Sequence, residues 1–284
     1  MKIILSRKGF DSATGGVPSP IFPSGEMYSL PIPESDLYDG IKYSDIKAGN
    51  YSLGKIVADL SSGRVQANST AHLDPDLNST STHKLTNWKP LFGQAGAAEK
   101  HLQSQGVDVG DVFLFYGWFK KVEIIDGSWK YVRRDPDQHI IFGWLQIEQR
   151  LPVDNLENIP QWAHSHPHYK REKYRGLDSI YISTDNLRLN NRVFDQSGGG
   201  IFNKFHPSLC LTDKGKSRSN WRLPSWIHPT DKNSILSYHS DIRRWNQADG
   251  YALLRTVGRG QEFVLDCNDY PEAIDWIIDL INKN

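Results

Sequence analysis

Cysteine is scarce in this chain of 284 residues: Cys210 and Cys267 stand alone, in no CxxC pair and at no regular spacing. That excludes a disulfide-stapled secreted scaffold and a thiolate zinc site, and makes the cytosol the expected compartment. Surplus charge is missing as well. Thirty-three basic residues balance thirty-three acidic ones, so no global field pulls the chain onto a phosphate backbone or an anionic membrane, and nucleic-acid contact must be local. Long apolar runs are also absent. The opening Met-Lys-Ile-Ile-Leu-Ser is too short for a signal-peptide core, and no stretch reaches the roughly 18 apolar residues of a membrane span. Neither a Walker lysine motif nor a GxGxxG fingerprint occurs, and no repeat or low-complexity linker divides the chain. One domain over residues 1–284 is the expectation, because units of this length can fold around one core.

Aromatic side chains, by contrast, are plentiful. Nine Trp and twelve Tyr imply a core of large amphipathic rings, some of them available to line a cavity. Lys2 to Leu5 reads as an opening strand, and the Gly- and Pro-rich stretch from Ser6 to Pro33 cannot be helical. Leu60 to Asn87, rich in Ser, Thr, Asn and Asp, reads as loop. Ala95, Ala98 and Leu102 recur at helical spacing within Gln94 to Gln105, with Gly106 placed for a left-handed C-terminal cap. A meander follows: Val112 to Phe119, Val122 to Ile125, an Asp126-Gly127 turn that tolerates two positive φ angles, Trp129 to Arg133, and His139 to Ile147. Gly117 and Gly143 mark either bulges or close backbone approaches. Ser179 to Thr184 and Gln261 to Asp266 are further strands. The chain closes with a helix capped by Asp269, with Pro271 in its first turn and a stripe of Ile274, Ile277, Ile278 and Ile281. The fold class is therefore α+β: a central, mostly antiparallel sheet with the C-terminal helix packed on it and long loops that carry function.

Polar chemistry gathers in separate loops. Arg7 and Lys8, directly after the opening strand and beside Gly9, can hold a phosphate, although a solvated basic turn has the same composition. His72, Asp74 and Asp76 alternate, so in an extended segment they converge as a cation site or an acid–base pair; a capping turn is the competing explanation. His164, His166 and His168 form the densest imidazole run, which suits a metal, a polar substrate loop or an inert surface. It carries no acidic residue, and no metal ligand is assigned on this pattern. His139 stands at the mouth of a buried strand, placed for either a cavity or the core. Gly198-Gly199-Gly200 reads as a flexible connection or a phosphate cradle. Trp221 to Trp226 and His239 to Trp245 mix rings with Arg222, Arg243 and Arg244, a combination that stacks bases or simply packs.

Taken together, Ser-Arg-Lys-Gly-Phe-Asp-Ser, Pro18-Ser19-Pro20-Ile21, Gly-Asp-Val-Phe-Leu-Phe-Tyr-Gly-Trp-Phe, Phe-Gly-Trp-Leu-Gln-Ile, His166-Pro167-His168 and Arg-Gly-Gln-Glu-Phe-Val-Leu-Asp resemble the nucleotide-modification-associated domain family of type three, nearly end to end. That family is thought to work alongside enzymes that hypermodify DNA bases. The resemblance implies a nucleotide or nucleobase as ligand and other DNA-modification enzymes as partners, and it leaves reaction and cofactor unknown. The family-like polar positions are Ser6, Arg7, Lys8, Asp11, His72, Asp74, His139, His166, His168, His239, Gln261 and Glu262. Of these, His72, Asp74, His139 and Glu262 are the candidate acids and bases, and Ser6, Arg7, Lys8, Asp11, His166, His168, His239 and Gln261 the candidate substrate contacts. A non-catalytic reader of modified bases, faintly similar to PUA-like folds, and a metal-dependent hydrolase or nuclease on His164, His166 and His168 are the alternatives.

Overall fold

The structure is a computed structural model and describes residues 1–35, 40–170, 177–230, 234–258 and 260–283. A large mixed sheet dominates it, with strand exceeding helix two to one (39% against 19%), an α+β architecture closed by a C-terminal helix.

At the centre run two long antiparallel strands, Val112–Ile125 and Gln138–Pro152. Their first halves are buried on both faces, as the unbroken apolar runs require of strands covered above and below. The first strand does not stop at Phe119. It continues to Ile125 and turns at Asp126 (φ 52°) and Gly127 (φ 75°) into Ser128–Tyr131, the two-residue hairpin that the Asp-Gly pair specifies. Opening strand Lys2–Arg7 lies parallel to Val112–Ile125 and antiparallel to Glu262–Asp266, which forms one side of the sheet. On the other side Gln138–Pro152 pairs with Asp178–Ser183, and that strand with Leu91–Ala95. Six of the eight pairings in this sheet are antiparallel.

Two glycines serve close approach, as expected. A Cβ on Gly117 would meet the Lys8 carbonyl at 2.9 Å, and one on Gly143 the Gly200 carbonyl at 2.8 Å; the register also shifts by a bulge between Ile141 and Gly143. The glycine triplet is not a free connection. Gly199–Ile201 is a strand paired with Gln138–Pro152.

Helix Gly96–Ser104 ends with Gly106 at φ 62°, and its buried Glu99 accepts hydrogen bonds from Arg150, Ser179 and Tyr181, fastening helix to sheet. The closing helix, Glu272–Lys283, buries Ala273, Ile277, Leu280 and Ile281 on the main core. Asp269 ends a 3-10 turn, Cys267–Asp269, just ahead of this helix, and its carboxylate accepts the Ser234 amide. A further helix, Leu53–Leu60, buries Leu53, Ile56, Val57 and Leu60 in a second apolar cluster under the loops. No described helix is long and apolar enough to cross a membrane.

Candidate active site

The edge strand Leu91–Ala95 and the C-terminal end of the opening strand flank the polar centre of the molecule. His72 ends a two-residue strand, Ala71–His72, that pairs with Ile32–Pro33, and this pairing sets Glu34 beside it: His72 Nδ1 lies 3.1 Å from Glu34 Oε2. Past His72 the chain is not extended. The Asp74 amide bonds to the His72 carbonyl at 2.9 Å, closing a tight turn that brings Asp74 Oδ2 to 3.8 Å from His72 Nε2. The same turn sends Asp76 elsewhere, onto Lys84 at 2.6 Å, so the expected trio of His72, Asp74 and Asp76 is a pair with a different third member.

That third member is His168, in the short helix Pro167–Lys170. Its Nε2 stands 3.6 Å from Asp74 Oδ2, while its Nδ1 lies 2.6 Å from Asp178 Oδ1, the residue that opens strand Asp178–Ser183. The three ligand-type atoms of His72, Asp74 and His168 all lie within 4.8 Å of one another. Asp74's other oxygen, Oδ1, accepts the Gly93 amide at 2.7 Å and faces His166 Nε2 at 3.2 Å, a close contact off the line of a hydrogen bond. His166 Nδ1 accepts the His168 amide, so its proton sits on Nε2, toward Asp74. Burial alone would raise the Asp74 carboxyl, but the facing rings of His166, His168 and His72 outweigh it and hold the group well below the usual carboxylate range.

His72, Asp74 and His168 open onto a cavity of ≈ 290 Å³ that Arg7, Lys8, Asp11, Gln94 and Gln261 also line. A second cavity of ≈ 520 Å³ shares Arg7 and Asp11 and adds Tyr116, Trp118, His139 and Arg218. The Arg218 guanidinium stacks on Trp118 at 3.9 Å from the ring centroid. His139 Nδ1 accepts the Trp221 indole N–H at 3.0 Å. Burial, reinforced by the charges of Arg218 and Arg7, pushes His139 down to about 3. It is therefore a neutral ring in a positively charged corner.

Several expected contacts take other roles. Ser6 is sealed inside the sheet at 0% exposure and lines neither cavity. Lys8 is tied to Glu262 at 2.9 Å and lies over the Phe92 ring at 4.4 Å. Glu262, also bonded by the Gln94 amide, stands behind the cavity wall and steadies Lys8 and Gln94. His239 is fully buried against Phe263, its Nδ1 donating to the Ser237 carbonyl and its Nε2 accepting the Val257 amide; both nitrogens are spent on the backbone, far from a substrate role. The imidazole trio does not converge: His164 stacks on Tyr169 at 4.1 Å and bonds the Ile159 carbonyl, leaving His166 and His168 to the centre.

Glu34, Gly93, Gln94 and Asp178 are in the site without having been expected there. Gly93 has a steric reason for its identity: a Cβ there would overlap the His168 ring, so only glycine lets the imidazole lie against this strand. No motif marks Glu34 or Asp178, each of which meets its histidine through the tertiary fold.

A model of the nucleotide modification associated domain 3 family matches residues 2–266. No curated protein and no solved structure matches the chain.

Proposed function

The chain belongs to the nucleotide modification associated domain 3 family, which implies involvement in nucleotide or DNA modification, and on that footing we propose that it is an enzyme acting on a nucleotide or nucleobase. The observation that carries this reading is the pair of adjoining cavities joined at Arg7. One half is an acid–imidazole array and the other is cationic. Arg7 and Arg218 supply two guanidiniums for a phosphate, and Trp118 and Tyr116 supply ring surface beside them. A nucleotide anchored there presents its base or sugar to Asp74 and His72.

Asp74 is the general base of this reading. Its Oδ1 is held by the Gly93 amide, so Oδ2 keeps a fixed direction into the cavity. His72, oriented by Glu34, relays the proton. Catalysis fits the array better than capture alone, because a binding pocket gains nothing from three buried titratable rings around one buried carboxylate.

The test is turnover and base composition together. Asp74→Asn abolishes base or nucleotide modification in a producing cell, read by mass spectrometry of digested DNA and of the nucleotide pool, while nucleotide binding to the purified variant persists. Unchanged modification in Asp74→Asn, or tight binding of modified oligonucleotide by wild type with no turnover of any nucleotide, would overturn the proposal, the second result in favour of a reader.

A further inference from the structure

The direction of the donors around Asp74 carries a second conclusion. Oδ1 faces N–H groups, from Gly93 and His166. Oδ2 faces the two Nε2 atoms of His72 and His168. Each of those rings has a carboxylate on Nδ1, and a carboxylate only accepts, so each Nδ1 carries a proton. In a neutral ring the lone pair then sits on Nε2, pointing at Asp74 Oδ2. Three electron-rich atoms turned toward one point repel unless a positive charge lies between them.

We infer that His72 Nε2, Asp74 Oδ2 and His168 Nε2 are the protein ligands of a divalent first-row transition-metal ion, with its remaining coordination positions open to the cavity beside Arg7. Cis ligands about 2.1 Å from such an ion stand roughly 3.0 Å apart. The observed 3.6 and 3.8 Å therefore need to close by less than about 1 Å, within the reach of side-chain adjustment. Glu34 and Asp178 complete the pattern of a carboxylate behind each ligating imidazole, which fixes tautomer and ring orientation and raises ligand basicity. Two imidazoles with one carboxylate select a borderline ion over Mg²⁺ or Ca²⁺, which prefer all-oxygen shells. Three protein ligands on the wall of an accessible cavity are the arrangement of a reactive centre, whereas a structural site is closed by four. His166 is a positioning residue here: it touches Asp74 Oδ1 and leaves Oδ2 to the ion.

The site is the one assigned to the proposed reaction; with the ion bound, Asp74 Oδ2 and His72 Nε2 hold it and no longer serve as base and relay, and the ion, read from ligand geometry alone, is measured without any nucleotide. Stoichiometric metal binding with no nucleotide turnover would remove the enzymatic reading and leave the centre standing, and turnover in chelator-treated protein would do the reverse.

The experiment titrates chelator-stripped full-length protein with Co²⁺, following visible absorption, with Zn²⁺ and Mg²⁺ as competitors. One equivalent of Co²⁺ binds, Zn²⁺ displaces it, and Mg²⁺ at equal concentration does not. His72→Ala and His168→Ala each weaken binding by more than about 100-fold, Asp178→Asn and Glu34→Gln by about 10- to 100-fold, and His164→Ala leaves it unchanged. The two carboxylate-to-amide variants keep side-chain volume, so they carry the test if the alanine variants lose their circular-dichroism signature. Absence of Co²⁺ binding by wild type, displacement by equimolar Mg²⁺, or binding indifferent to Asp178→Asn and Glu34→Gln would overturn the assignment; in the first case protons on the two rings fill the space between the acceptors.

Discussion

Two groups of buried histidines divide this molecule. His72 and His168, at the edge-strand end, each rest against a carboxylate and turn the other nitrogen to Asp74. His139 and His239, near the strands on the opposite side, meet an indole N–H and backbone groups, with no carboxylate among those hydrogen-bond partners. Burial is alike in the two groups, between 0% and 8% exposed, so burial does not separate their roles. The partner on the second nitrogen does. A carboxylate behind the ring fixes its tautomer and direction, whereas neutral donors and carbonyls around it fix it as an uncharged piece of packing.

The contrast breaks most sharply at Asp74. Asp74→Asn removes the charge that organises the first group and is expected to lower the rate of modification by about 10²- to 10⁴-fold, measured as turnover of the nucleotide substrate; His239→Asn, outside the cavities, is expected to act only on thermal stability. Gly93→Ala comes next. Its methyl group occupies the space of the His168 ring, so activity falls by about 10²-fold with about 1–3 kcal/mol of lost stability, read by turnover and chemical denaturation; full activity would show that the ring's position against Gly93 is not needed.

The second group is sharpened by pH. His139 is held at about 3 and His239 at about 4, chiefly by burial, against about 6.5 in an unfolded chain. Below pH 6.5 the unfolded chain binds protons that these folded rings refuse. Their contribution is therefore intact above pH 6.5 and declines as pH falls toward 4 and 3, at about 1.4 kcal/mol per ring per pH unit. For His139 that amounts to about 2 kcal/mol at pH 5. His139→Gln keeps an acceptor for Trp221 and flattens this dependence by one proton; denaturation midpoints from pH 7 to 4.5 that run parallel in wild type and variant would contradict it. Smallest is Arg7→Ala, expected to weaken nucleotide binding roughly tenfold through loss of a charge-assisted contact, with calorimetry as the check and an unaltered affinity as the opposing result.

Sequence made one group of these features readable and hid the other for a physical reason. The Asp126-Gly127 reversal, the Gly106 cap and the Ile277–Ile281 face depend on near neighbours, and each is present in the fold. The helix Leu53–Leu60 has an apolar i, i+3, i+4, i+7 spacing, but it spans only two turns inside loop-like surroundings, too short for the period to stand out. His72, Asp74 and His168 were recognisable as chemically useful residue types. Their convergence was not, since the turn after His72 redirects Asp76 to Lys84 and long-range pairing delivers His168 instead. Glu34 and Asp178 give no local sign at all; one meets its histidine across 38 residues of chain and the other through a strand start. Ser6, a candidate contact through the family resemblance, lies within the opening strand with its side chain buried in the core.

On the proposed function, the cationic and the acid–imidazole cavities hold one nucleotide between them. A crystal structure of the protein soaked with a nucleoside monophosphate tests it most directly. The phosphate is expected between Arg7 and Arg218, with a base or sugar atom within about 3.5 Å of the Asp74 carboxylate. A nucleotide ordered on another face of the protein, with both cavities filled only by solvent, would contradict it.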